Sequence, residues 1–505
     1  MGRWVYRTHV AIVKLQSSRK KNRQMHIKPF PTLRLIAMCA AITTSFPTLS
    51  ADPFNTETLI PSQPGIIWQA PALLNLDNAE PKRPRLPTGA LSLAELTDLA
   101  LLNNPSSREA WFAARADAAS LGVSQSALLP SLDATLSISR GKYTSNNNAG
   151  NTQSGSGTRF SPGLGLNYVL FDFGARSATE QAARYALLAT NLNQNRTLQS
   201  IVLRVEQAYY QLMGSSLIIE AAREAFTNAQ TSSSAVDAKR KAGLATIGEV
   251  YQADTALGQA RLQLARVQGE ANKFKGELAV AVGLPVNSVL NLAPLSSQPP
   301  LKETKQNVDR YLAQAKLQRP DILAAEAQTR SARARVDAVT AQGKPNVELA
   351  ANIGATYSSG SSGDSGNIAR SNNVGVNVRI PLFNGFRTEY AIKEAQARVD
   401  QLQATHERIS QQVELDVWKA YYDLETSVIA IDSARALLKS ARQSREVAQA
   451  RYQAGVGTLL DLLSAQTAEA NARVENIQSE LGWYSALSRL NNAMGVFSST
   501  QQSAS

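Results

Sequence analysis

Apolar positions along this chain follow two periods, and the switch between them occurs twice. From Ile201 through Val205, Ala208, Leu212, Ser215 and Ile219 to Ala222, Phe226 and Ala229, small and apolar residues are spaced 4-3-4-3. Val413, Val417, Ala420, Leu424, Ser427, Ile431, Ala434, Leu438 and Ala441 repeat that spacing. A 3.5-residue period keeps one seam against a neighbouring helix and imposes supercoiling. It predicts a helix from about 176 to 242, roughly 100 Å long at 1.5 Å per residue. Surface helices of a globular bundle are the alternative, but such helices are far shorter.

Ahead of each helical run the period is two. Leu132, Leu136 and Ile138 alternate with Asp133, Thr135, Ser137 and Ser139, and Leu164, Leu166, Tyr168 and Leu170 with Gly165, Asn167, Val169 and Phe171. Further on, Val347, Leu349, Ala351 and Ile353 face away from Glu348, Asn352 and Gly354, and Val374, Val376, Val378 and Ile380 from Gly375, Asn377 and Arg379. Each segment approaches the ~9–11 residues of a membrane-spanning strand with one apolar face. Any half-buried sheet alternates in the same way. The polar stretches 144–159 and 358–373, rich in Gly, Ser and Asn, are expected as loops joining each pair.

The switch from strand to helix happens at 169–176, VLFDFGAR, and at 380–387, IPLFNGFR. Phe171 and Gly174 in the first copy, and Phe383 and Gly385 in the second, are the expected junction residues. Offsets show that the copies belong to a larger repeat. Pro105 and Pro130 recur 215 positions later as Pro320 and Pro345. Ala208-Tyr209-Tyr210, Gly243, Thr246 and Gly283 recur 212 later as Ala420-Tyr421-Tyr422, Gly455, Thr458 and Gly495. Two tandem repeats, 91–285 and 305–496, follow. A proline-rich segment 52–90 precedes them, a second proline-containing linker 286–304 separates them, and 497–505 is a tail.

The net charge of +12 would suggest a nucleic-acid partner until it is located. Residues 1–51 hold nine of the 52 Lys and Arg and no acid, which leaves 43 bases against 40 acids elsewhere. The basic excess is a leader. Counted from Met25, that leader has Lys28 and Arg34, an apolar run 35–42 and a small-residue site at 49–51. This is the pattern of a secretory signal, and Met25 is the expected start. Met38 precedes Cys39, where lipid attachment wants a small residue, so a cleaved signal is favoured over a lipid anchor. With the only cysteine in the leader, the mature chain is expected to have no disulfide and no thiolate site. Past the leader no apolar run approaches the ~18 residues of a spanning helix.

If the four strands sit in lipid they cannot stand alone. An open sheet would leave two edges of unpaired backbone groups in a medium that cannot hydrogen-bond them. Eight strands is about the smallest closed barrel, so the chain must share a barrel with copies of itself.

The LFDFGAR and PLFNGFR junctions, the strand openings ALLPSLDATLS and GKPNVELAANIG, and the paired turns KAGLATIGEV and QAGVGTLLDL together resemble the TolC-type outer-membrane efflux family. The resemblance covers 91–496. It implies an α+β fold in which a homotrimer forms one twelve-stranded barrel continued by a periplasmic tunnel of long helices. It also implies a periplasmic adaptor and an inner-membrane pump as partners, outer-membrane lipid around the barrel, and no cofactor or nucleic acid. In the family the second-copy turn closes the tunnel through a tyrosine, an arginine and two aspartates. Tyr452 matches the tyrosine and Asp461 the first aspartate; Gly457 and Ser464 stand at the other two positions. Glu249 stands where the first copy often carries an acid. Thr246 with Glu249, and Thr458 with Asp461, equally have the spacing of helix capping boxes.

Enzyme motifs do not survive their context. Gly363-Asp364-Ser365-Gly366 spells a serine-protease motif in a Ser/Gly stretch, with only His406 as a base in the mature chain. Asp172-Phe173-Gly174 lacks the glycine-rich and catalytic loops of a kinase. Export of small toxic compounds is the expected function. A type I protein-secretion conduit and a soluble periplasmic coiled-coil adaptor are the alternatives.

Overall fold

The computed structural model describes residues 60–61, 63–66, 89–146, 152–293, 307–360 and 367–496. The leader with Met25 and Cys39, most of 52–90, the greater part of the linker and the tail lie outside them, as does the motif at 363–366.

The duplication is carried through to element lengths. Helices α1 (Leu93–Asn103) and α2 (Pro105–Ser126) lead into strands β1 (Ser131–Asn146) and β2 (Thr152–Phe171), then helices α3 (Ala175–Lys241) and α4 (Ile247–Val282). Helices α5 (Val308–Gln318) and α6 (Pro320–Gln342) lead into β3 (Asn346–Gly360) and β4 (Asn367–Arg379), then α7 (Arg387–Gln453) and α8 (Leu459–Met494). Both α3 and α7 have 67 residues, and both α4 and α8 have 36. The long helices therefore span about 100 Å at 1.5 Å per residue. The short helices start where the sequence offers caps. Ser92 and Glu95 form a capping box, and Asn104 accepts from the Ser106 amide with Pro105 at the first helical position.

The seam read from the 4-3-4-3 spacing is the buried one. Leu198, Ile201, Val205 and Leu212 of α3 pack with Leu96 of α1 and Leu278 and Val282 of α4. Val413, Val417, Leu424 and Ile431 of α7 pack with Trp483 and Leu490 of α8. At about 25 cal/mol per Å² of apolar surface removed from water, burial along these two seams stabilises each hairpin.

One ion-pair cluster ties the repeats together. The Arg319 guanidinium, whose side chain is 3 % exposed, holds both Asp321 oxygens at 2.9 and 2.5 Å and donates to the Ala493 carbonyl at 3.1 Å. Arg196 of α3 lies 3.6 Å from the same carboxylate. Burial works to raise the Asp321 carboxyl, but Arg319, Arg196 and the Ile322 amide outweigh it and hold it below the usual carboxylate range. A depressed folded value means the stabilisation is complete above the ordinary carboxylate range near ~4 and is lost as pH falls through the folded value. Asp321→Asn is expected to melt below the wild type at neutral pH. The gap should close under acid, which thermal unfolding from pH 7 to pH 3 checks.

The four strands form one antiparallel sheet in the order β1-β2-β3-β4. The register joins the apolar positions into rows across it. Leu132 faces Leu166, Ala351 and Val374 in turn, and Ile138 faces Phe160, Tyr357 and Ile368. The strands are longer than their apolar alternation. Polar stretches expected as loops continue the pairing as far as Asn146 with Thr152 and Ser358 with Asn367. Backbone groups need partners whatever the side chains are, so pairing persists where apolar alternation has ended.

Phe171 is a second correction. Strict alternation assigns it to the polar face with Val169. A bulge between Val169 and Phe171 instead brings Phe171 opposite Val347, on the apolar side. Phe160 and Phe171 are eleven positions apart, about 35 Å along an extended strand.

Candidate functional site

Two places repeat the same local geometry in both copies: the junction where sheet becomes helix, and the turns that close the helical hairpins.

At each junction two consecutive residues are left-handed. In the first copy they are Phe173 (φ 53°) and Gly174 (φ 88°), and in the second Gly385 (φ 68°) and Phe386 (φ 63°). The FG of one copy and the GF of the other thus solve one backbone problem, with a phenylalanine strained in each by about 1–3 kcal/mol. Aromatic contacts accompany the strain. Phe171 meets Phe173 at 4.8 Å and Phe383 meets Phe386 at 5.5 Å between ring centres. The glycines stood out in the sequence; Phe173 and Phe386 did not, because nothing local marks a left-handed phenylalanine.

Asp172, whose neighbours spell a kinase motif, has a structural task. It accepts from the Gly174 and Arg176 amides at 3.2 and 3.1 Å and from Arg176 Nε at 2.8 Å. Arg176 in turn donates to the carbonyls of Ala127 and Val169, which ties α2 to the end of β2. Beside the junctions lies a cavity of about 710 Å³ lined by Arg176, Lys344, Arg379 and Arg387, with Asp172 the one acid among its lining residues.

The turn between α3 and α4 is built like that between α7 and α8. Leu244 donates to the Lys239 carbonyl at 2.8 Å, and Val456 to that of Arg451 at 3.0 Å. Thr246 and Glu249 form a complete capping box, with the Thr246 amide 2.7 Å from Glu249 Oε2 and the Glu249 amide 3.2 Å from Thr246 Oγ1. Thr458 and Asp461 repeat it at 3.2 and 3.1 Å. The Thr458 side chain and amide, with a smaller contribution from Arg451, hold the exposed Asp461 carboxyl below its ordinary range. Asp461 is therefore an anion at neutral pH.

Tyr452 is engaged elsewhere. Lys239 of α3 places its ammonium 4.0 Å from the centre of the Tyr452 ring, a cation–π contact joining the two hairpins. Beneath it Val236, Ala253, Leu459 and Leu463 form an apolar cluster that Tyr452 packs against. Tyr452, Glu249 and Asp461 are thus not joined in one hydrogen-bonded network. At Gly457, where the resemblance wants an arginine, a Cβ would lie 3.0 Å from Arg451 Cβ and 3.1 Å from the Tyr452 amide nitrogen. A side chain at 457 would require the backbone to move. Lys239 lies 213 positions before Tyr452, so no local sequence signal pairs them.

With this geometry in hand, the comparisons with known proteins are decisive. A family model described as outer membrane efflux protein matches residues 96–284 and 311–496. The chain belongs to the outer membrane efflux protein family. Among curated relatives, protein CyaE of Bordetella pertussis is 30 % identical over 77 % of this chain and 80 % of its own length. The pyoverdine export outer membrane protein OpmQ of Pseudomonas aeruginosa is 29 % identical over 79 % and 85 %. The solved outer-membrane channel OprN shares the fold with a TM-score of 0.71 at 22 % identity, over 80 % of this chain and 90 % of that one. This efflux protein is accordingly an outer-membrane protein with the two-repeat α+β fold. Among the described residues no helix is long and apolar enough to cross a membrane.

Proposed function

We propose that this efflux protein is the outer-membrane channel-tunnel of a tripartite system that exports small toxic compounds, and that it works as a homotrimer without catalysis. The observation that carries the reading is a sheet with an apolar face and two edges, β1 and β4, that have no neighbouring strand among the described residues, on helices about 100 Å long. In lipid those edges need partners. Three copies, each pairing its β4 with the next copy's β1, close a twelve-stranded barrel. A periplasmic adaptor and an inner-membrane pump complete the path, as membership of the family supports. Small-molecule cargo is supported by a relative named for pyoverdine export. Fractionation tests the reading: the protein should stay in outer membranes through a salt wash and run unboiled as a trimer. A deletion strain should become sensitive to drugs, dyes or organic acids. A protein that washes off with salt as a monomer is a soluble adaptor, and the reading fails.

Within that reading the turns form the periplasmic constriction, with Tyr452, Asp461 and Glu249 as its residues. The Lys239–Tyr452 contact and the apolar cluster below it hold the hairpins closed, a task the family gives to an arginine this chain lacks. Three Asp461 carboxylates around an axis form a negative ring that favours cations. Asp461→Ala is expected to raise single-channel conductance severalfold and to reduce cation selectivity in planar bilayers. Unchanged conductance together with unchanged selectivity would remove Asp461 from the gate.

A further inference from the structure

The two junctions share a backbone path but not a charge. In the first, Asp172 closes the start of α3: it accepts from the Gly174 and Arg176 amides and from Arg176 Nε. The residue 212 positions later is Asn384, which is neutral and donates to Thr388 Oγ1 at 2.6 Å. Helix α7 therefore begins without the carboxylate that α3 has, although a helix N-terminus favours negative charge equally in both places.

Cations collect where that carboxylate is missing. Arg176, Lys344, Arg379 and Arg387 line the cavity of about 710 Å³ beside the junctions, against Asp172 alone. Asp172 is taken by Arg176 at 2.8 Å, so the other three cations have no acid in the lining to neutralise them. Each is placed by a different element. Gly343 sits so close to α7 that a Cβ on it would come within 2.6 Å of Thr388 Cγ2, which sets Lys344 beside the helix start. The Lys344 ammonium also lies 5.6 Å from the centre of the Phe173 ring. Arg379 ends β4 opposite Asn346, on the polar face of the sheet, and Arg387 is the first residue of α7. Glu348, two positions beyond Asn346 on that face, is outside the lining. Three like charges around one space repel one another, and an anion between them removes that cost. Guanidinium groups hold carboxylate and phosphate through paired N–H donors. The volume falls within the ~300–1,000 Å³ of small-molecule sites.

We propose that Lys344, Arg379 and Arg387 form an anion site at the second junction, which takes the carboxylate or phosphate group of a small organic solute in the place that Asp172 fills at the first. With the polar face of the sheet lining the conducting path, the ligand is a solute of that path. This rests on the channel reading above and adds a class of solute to it.

The purified full-length protein in neutral detergent should bind radiolabelled citrate saturably, one per copy, and inorganic phosphate should displace it. Lys344→Gln, Arg379→Gln and Arg387→Gln together should weaken binding at least tenfold. Asn384→Asp should do the same with all three cations in place, because it supplies the carboxylate from within. Micelles containing phosphatidylglycerol should leave the citrate bound. Displacement by phosphatidylglycerol at equal headgroup concentration would show that the site holds a lipid headgroup, and would overturn the solute. Absence of saturable binding, or undiminished binding in either variant, would overturn the site itself. None of these readouts needs a trimer or a conducting channel, so they fail separately from the fractionation that tests the channel reading.

Discussion

Arg319→Ala is expected to destabilise the folded protomer by about 3 kcal/mol, near the low end of the range for breaking one side of a buried ion pair. The Asp321 carboxylate would lose a two-pronged partner, and the Ala493 carbonyl a donor. The loss stays near the low end because Asp321 is 23 % exposed and keeps Arg196 at 3.6 Å. Arg319→Lys should recover little, since an ammonium cannot hold both carboxylate oxygens and the carbonyl in one plane. Thermal unfolding of the purified protein in detergent provides the measurement. Melting of Arg319→Ala within a degree of wild type would mean that the cluster contributes nothing net.

Gly283→Ala should cost about 2–5 kcal/mol, from left-handed strain and overpacking together. Gly283 ends α4 at φ 82°, and a Cβ there would meet Asn103 and Asn104 backbone atoms at 2.7–2.8 Å. Those atoms belong to the α1–α2 corner, where the Asn104 side-chain amide donates to the Ala281 carbonyl at 2.9 Å. Neither backbone can retreat without breaking a cap. Its repeat partner Gly495 meets the α5–α6 corner at Gln318 and Arg319, but at 3.1–3.2 Å. Gly495→Ala should therefore be the milder of the pair. The order of the two melting temperatures checks this, and a reversed order would show that the corner spacing does not set the cost.

Much of the architecture was legible because it rests on periodicity. A 3.5-residue seam and a two-residue alternation are properties of neighbouring residues, and the 212-residue offset made each copy a check on the other. The 144–159 and 358–373 stretches misled because strand ends were read from apolar side chains, whereas hydrogen bonding carries the ladder through Ser, Gly and Asn. Phe171 misled because a single bulge reverses which face every later residue takes.

The candidate gate was legible only in part. Thr246 with Glu249 and Thr458 with Asp461 are three positions apart, so their capping could be read directly. Lys239 over Tyr452, and Val236 against Leu459 and Leu463, could not be read, since the partners lie more than 200 positions apart. The sequence by itself determined the long helices, the four strands and the duplication, because these follow from local pattern. The tertiary structure alone decided which hairpin grips which and where the polypeptide bends left-handed at Phe173 and Phe386. Those depend on how two copies of one pattern meet in space, and a linear pattern carries no record of that meeting.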